Sequence, residues 1–373
     1  MNNKQRYSNF ELLRVFSMFM IVTFHMFDWC TRIQLTDTAS ISSMGNGLFC
    51  QPLFYKKLLI LSIFAPLGKT GDGIFLLISG FFLAGRDRID LAKISKKLLS
   101  QLMFATITLM VLSVVSIRMF SLGDVTDFYI GTINISYFNG EAWYVGYYYL
   151  VIVLASMGLN KLLIRFDQKE YMAFLFVTFS ITSFYWTGNM LTDFAAGCRV
   201  LGAGVFLYAL GGYIKRYDPF DNIRLWVLFF IIIICYLLVF ISEYNLTIFN
   251  IEKWAQKENA VFIQTIQGFS DYSVIPITLA ITIFELFRRL KIKNSRIINY
   301  LGASCFMIYL IHCSNFVFTI WRMKDWIKLL YYHPYKYVCL HLLCSGITFI
   351  ICVLIYCIYL MIFSNCSEPP LRA

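Results

Sequence analysis

Arg14 and His25 stand eleven residues apart in "ELLRVFSMFMIVTFHMFDW", a stretch otherwise apolar enough to cross a membrane. A helix turns about 100° per residue, so eleven residues make about three full turns and place both side chains on one stripe, roughly 16 Å apart. Glu11 precedes Arg14 by three residues and Asp28 follows His25 by three, each on a neighbouring position of the same face. A neutral imidazole is tolerable inside an apolar span, and it is also a usable general base or nucleophile. A guanidinium at the end of the span suits phosphate or carboxylate oxygens. Central Asp, Lys or Arg costs about 2.5–3.5 kcal/mol each to insert. Polar groups gathered on one stripe therefore read as the lining of an interior cavity. The competing reading makes Arg14 a snorkelling anchor and His25 a packing residue. It leaves their shared stripe unexplained.

Other groups complete the chemistry. "APLGKTGDGIFLLISG" brings Asp72 into the next apolar run, so Asp28 or Asp72 is the candidate to orient His25 and stabilise its charged form, as in a triad. "RDRIDLAKISKK" supplies Arg86, Arg88, Lys96 and Lys97, an inner cluster with Arg14 suited to charge-assisted phosphate contacts. "EAWYVGYYYL" gathers Glu141, Trp143, Tyr144 and Tyr147 at the outer end of a span. That cluster is either an interfacial aromatic belt or a platform on which a sugar ring stacks while Glu141 binds hydroxyls.

The elements that must position these groups are membrane helices. The chain of 373 residues is 59% hydrophobic and 14% charged, against about 25% charged in soluble proteins, and its mean hydropathy is +0.68. Ten spans fit, near 10–29, 62–85, 97–119, 142–162, 171–188, 197–214, 225–244, 271–290, 303–321 and 338–363. The expected fold is an all-α polytopic bundle forming a single domain, residues 1–373. Its second span is kinked or broken where Pro66, Lys69 and Asp72 interrupt it. An even number of spans puts both termini on one side. Most Lys and Arg residues then fall in the segments on that side, which makes it the cytoplasm. The charge of +11 is spread in short clusters between spans, which argues against a nucleic-acid partner. No Cys or His spacing suggests a metal. The first span carries charge and no small-residue cleavage site follows Trp29, so it is not a removable signal.

Four stretches in order resemble the acyltransferase-3 family of integral membrane acyltransferases. They are the Arg14-x10-His25 pair; "GDGIFLLISGFFL" through Gly71, Phe75, Ser79, Gly80 and Phe81; Trp143 and Tyr144; and "YLGASCFMIYLIHCSNF" through Ser304, Tyr309, Leu310 and His312. The resemblance implies a ten-helix enzyme of the cell membrane, of the bacterial plasma membrane in the family's polysaccharide-modifying type. It implies acyl-CoA, usually acetyl-CoA, as donor substrate, with no permanently bound cofactor. It also implies a hydroxyl of a surface polysaccharide or its lipid-linked precursor as acceptor, met among membrane lipids, with His25 and Arg14 required for activity. His312 departs from many relatives because Cys313, Ser314 and Asn315 follow it where a carboxylate is common, and it is assigned with the substrate-binding groups. Some relatives carry a fused extracytoplasmic domain. None is seen here, so the expectation is direct transfer to the acceptor or help from a separate extracytoplasmic protein. The alternative is a transporter or flippase for a polysaccharide precursor, which should show repeats and acids spread over several spans.

Overall fold

The computed structural model describes residues 7–36, 54–120, 143–183, 192–255 and 272–367, and every regular element among them is helical. Helix α1, Ser8–Met26, continues through a π-helical stretch, Phe27–Arg32, into Ile33–Thr36. There follow α2 (Leu67–Leu83), α3 (Leu91–Phe120), α4 (Trp143–Leu154, prolonged through Ala155–Leu159 and Asn160–Arg165), α5 (Gln168–Ser183) and α6 (Thr192–Tyr217). The second half holds α7 (Leu225–Ala255), α8 (Val274–Arg288), α9 (Arg296–His312), α10 (Asn315–Arg322) and α11 (Pro334–Ser367), with a short helix Trp326–Tyr332 before the last. This is the expected all-α polytopic membrane class. Among the described residues seven stretches are long and apolar enough to cross a bilayer, and the bent pair α9–α10 makes an eighth. At the two remaining predicted positions α5 has 16 residues, up to the edge of the described stretch, and α8 has 15; residues 184–188 of the predicted fifth span lie outside the described residues.

Two spans are irregular. The kink expected in the second lies before α2. A tight 3-10 turn, Leu59–Ile63, runs into Pro66, which opens α2 and accepts hydrogen bonds from the backbone N–H and the hydroxyl of Thr70. Lys69 and Asp72 therefore sit inside regular helix, not in a break. The ninth span, expected as one run over 303–321, is instead bent by 73° between α9 and α10. Cys313 leaves the helical region (φ −82, ψ 52), and the Oγ of extended Ser314 accepts from the Val317 N–H to start a new helix. The apolar character of "FVFTIW" hides this cap from a hydropathy window.

Helix α1 stands between two packed cores. Phe10, Leu13 and Met20 join one with α2, α4, α6 and α8, while Met18, Ile21, Val22 and Met26 join the other with α9 and α11. Close approach between α2 and α6 needs Gly80, where any Cβ would run into the Tyr208 carbonyl. Helix α7 takes little part. Only 17% of its most apolar window is buried, and Trp226, Phe229 and Ile233 point outward, as on a lipid-facing helix.

Candidate functional site

Both ends of α1 are tied to the chain around α9 and α10, which sets the register of its polar stripe. At the start, the Ser8 hydroxyl donates to Asn299 Oδ1 (2.9 Å) and accepts from the Ser295 N–H (2.9 Å). Asn9 Nδ2 donates to the last carbonyls of α8, those of Phe287 and Arg288, which lack partners within their own helix. At the far end, Gln34 Nε2 donates to the carbonyls of Arg322 and Lys324, and Gln34 Oε1 accepts from the Trp326 N–H. With α1 unbroken from residue 8 to 26, Arg14 and His25 keep the common face that their spacing implies.

His25 meets another imidazole there. Its Nδ1 lies 2.9 Å from His312 Nε2, with the two rings 5.1 Å apart and inclined by 28°. His312 is fully buried, and its Nδ1 lies 2.7 Å from the Ile308 carbonyl oxygen. A carbonyl only accepts, so the proton is on His312 Nδ1. In neutral His312 the Nε2 is then bare and accepts from the N–H at His25 Nδ1. The remaining nitrogen of neutral His25, Nε2, carries a free lone pair. Two hydrogen bonds thus select one tautomer of a half-buried base.

An aromatic wall leads away from this pair. Ring centroids step from His25 to Tyr309 (6.4 Å), to Tyr144 (5.9 Å), to Tyr147 (5.6 Å) and to Tyr272 (6.2 Å), with Trp143 5.7 Å from Tyr147. The Lys69 ammonium closes the far end, 4.2 Å over Trp143, 5.1 Å over Tyr272 and 3.9 Å from Asp72 Oδ2. The Tyr144 hydroxyl donates to the Asp72 backbone carbonyl, the Tyr147 hydroxyl to that of Val200, and Tyr148 pairs with Ser79. These bonds fix α4 against α2 and α6.

At the other end of the stripe, Arg14 Nη1 donates to both Glu11 oxygens (3.1 and 3.3 Å). The guanidinium keeps 34% of its side chain exposed while Glu11 is buried. Gly302 of α9 leaves the space for Glu11, which a Cβ would occupy. Among the described residues there is no cluster of three His, Cys, Asp or Glu placed to hold a metal.

The model of the acyltransferase domain family, acyltransferase-3, matches residues 7–357. The chain belongs to the acyltransferase-3 family. It is a membrane acyltransferase, and the match takes in both histidines, Arg14 and the aromatic wall. No curated protein and no solved structure matches the chain.

Within this family member the residues singled out from sequence fall into three groups. His25 and His312 come together, although the late histidine has both nitrogens engaged within the protein and none left for a substrate. Asp28 and Asp72 take other partners. Asp28 Oδ1 forms an ion pair with Arg32 Nε at 2.5 Å within the π-helical stretch, and Asp72 faces Lys69. Trp143, Tyr144 and Tyr147 share the wall. Arg86, Arg88, Lys96 and Lys97 are exposed around the α2–α3 turn. Buried Asn160 holds that turn by donating to the carbonyls of Leu83 and Arg86. Glu141 lies outside the described residues. Sequence reasoning missed Lys69 and Tyr272 as wall residues and His312 as the partner of His25. The motif "YLIHC" marks His312, but nothing in it points across 287 residues to His25.

Proposed function

We propose that this acyltransferase moves an acyl group, acetyl in the simplest case, from cytoplasmic acyl-CoA to a sugar hydroxyl of a surface polysaccharide or its lipid-linked precursor. The observation that carries the reading is the bare Nε2 of His25, held in one tautomer by His312 at the end of an aromatic wall. His25 takes the proton of the acceptor hydroxyl as general base. His312 Nε2 accepts from the imidazolium that forms, the part a carboxylate plays in a triad. Arg14, oriented by Glu11, meets the donor phosphates together with Arg86, Arg88, Lys96 and Lys97. The stretch of about 16 Å from Arg14 to His25 suits an extended pantetheine arm. Trp143, Tyr147 and Tyr272 cover the apolar face of the sugar, with Lys69 at its rim. On this reading both termini lie in the cytoplasm and the aromatic wall faces the outer side of the plasma membrane.

The test is acceptor-linked. Membranes containing the protein receive acetyl-CoA labelled in the acetyl group, and alkali-labile label is sought on polysaccharide. Label that disappears in His25→Ala supports the reading. Absence of label, with a glycan precursor still crossing the bilayer, would replace it with the transporter alternative.

A further inference from the structure

Tyr309 precedes His312 by three residues on α9 and is 97% buried, with 3% of its surface exposed. Its ring lies 6.4 Å from that of His25, 5.7 Å from that of His312 and 5.9 Å from that of Tyr144. Its hydroxyl makes no hydrogen bond of good geometry among the described residues; beside it lie only the Cys313 thiol, a weak partner, and the Tyr144 backbone N–H, which can donate but not accept. Tyr272, further along the wall, shares this feature, but the tyrosines of α4 differ. Those of residues 144, 147 and 148 each have a hydroxyl partner. A buried hydroxyl without a partner destabilises a fold, and phenylalanine would fill the same space without that cost. A tyrosine kept here is explained by a partner that arrives with the reaction.

We propose that the Tyr309 hydroxyl donates a hydrogen bond to the thioester carbonyl oxygen of the acyl donor and stabilises the oxyanion formed there. The assignment rests on the acyl-transfer reading given above. In that step the acceptor oxygen attacks the carbonyl carbon and forms the new C–O bond, while the acceptor's proton passes to His25 Nε2. The C=O π pair moves onto the carbonyl oxygen, where the Tyr309 O–H meets it without giving up its proton. Collapse restores the C=O bond, expels the coenzyme A thiolate as the C–S bond breaks, and returns the His25 proton to sulfur. No oxidant, metal or further reactant is needed. The division of labour follows from the protons already placed. His25 offers a bare nitrogen and serves as the base, whereas Tyr309 offers a free O–H and serves as the donor. Such a group contributes most in the transition state, because charge on the carbonyl oxygen develops only there.

The experiment compares Tyr309→Phe with wild type in full-length, detergent-solubilised protein, following coenzyme A release from acetyl-CoA with the acceptor glycan, together with thermal unfolding. The expected result is a fall in kcat of about 10²-fold, KM for acetyl-CoA within about threefold of wild type, and a melting temperature equal to wild type or higher. The gain or constancy in stability distinguishes this role from a structural one, since removing an unpartnered hydroxyl leaves nothing unsatisfied. Wild-type kcat in Tyr309→Phe would overturn the assignment. A clear loss of thermal stability would overturn it too, because it would show that the hydroxyl is bonded in the resting fold. If wild type transfers acyl groups and Tyr309→Phe does so equally well, only the oxyanion assignment fails. If wild type transfers none, the acyl-transfer reading itself fails.

Discussion

The two ends of the polar stripe on α1 solve the same problem in opposite ways. At one end a permanent cation, Arg14, is placed against a buried carboxylate, Glu11, and still turns a third of its side chain outward. At the other end His25 is placed against a second neutral base, His312, with no carboxylate between them. The first arrangement fixes a charge and aims it. The second fixes a proton and leaves the charge to be created only during reaction. An ion pair is ready for an anionic ligand at rest, whereas two linked imidazoles present a lone pair in surroundings that disfavour a standing charge.

Substitutions can break this contrast, beginning with the largest effect. His25→Ala should lower kcat by about 10³-fold or more, at the upper part of the range for general bases, while the protein stays inserted and monodisperse. His312→Leu comes next, with a loss of about 10²-fold in kcat and little change in donor KM, because the tautomer of His25 is no longer imposed. His312→Gln should recover part of that loss, since its side-chain carbonyl can accept from His25 Nδ1; equal defects in the Leu and Gln variants would count against the hydrogen-bond role. Arg14→Ala should act at the other end only, raising KM for acetyl-CoA about tenfold, the order expected for a lost charge-assisted bond, with kcat within about twofold. Asp28→Asn should be the mildest, within about twofold in both constants, as its carboxylate serves Arg32. A large kcat defect in Asp28→Asn would restore the carboxylate as the partner of His25.

Much of this was legible in the sequence, and the limits have physical causes. Helical class and the Arg14–His25 face follow from local periodicity, which an unbroken α1 preserves from Ser8 to Met26. Asp28 shows where that logic stops. A π-helical turn begins at Phe27 and Asp28 pairs with Arg32 four residues on, a choice of partner that spacing alone does not report. The partner of His25 was out of reach because pairing across 287 residues depends on how α9 packs, which hydropathy does not encode. The elbow at Cys313 was missed because Ser314 caps α10 inside a run that reads as continuous apolar sequence. Lys69 looked like part of a helix break, whereas Pro66 ends the irregularity and delivers the lysine to the aromatic wall from within a regular turn.

The 73° elbow between α9 and α10 also separates two kinds of variation. His312 and the carbonyl that fixes its proton belong to the last turn before the elbow, so the acid–base device is complete within α9. The segment beyond it, which brings Phe318 to within 6.3 Å of His25 and stacks the same ring on Trp29 at 4.9 Å, can be reshaped without disturbing that turn. Grafting a different α10 onto an intact α9 would therefore be a route to new acceptor preferences that leaves the proton chemistry untouched.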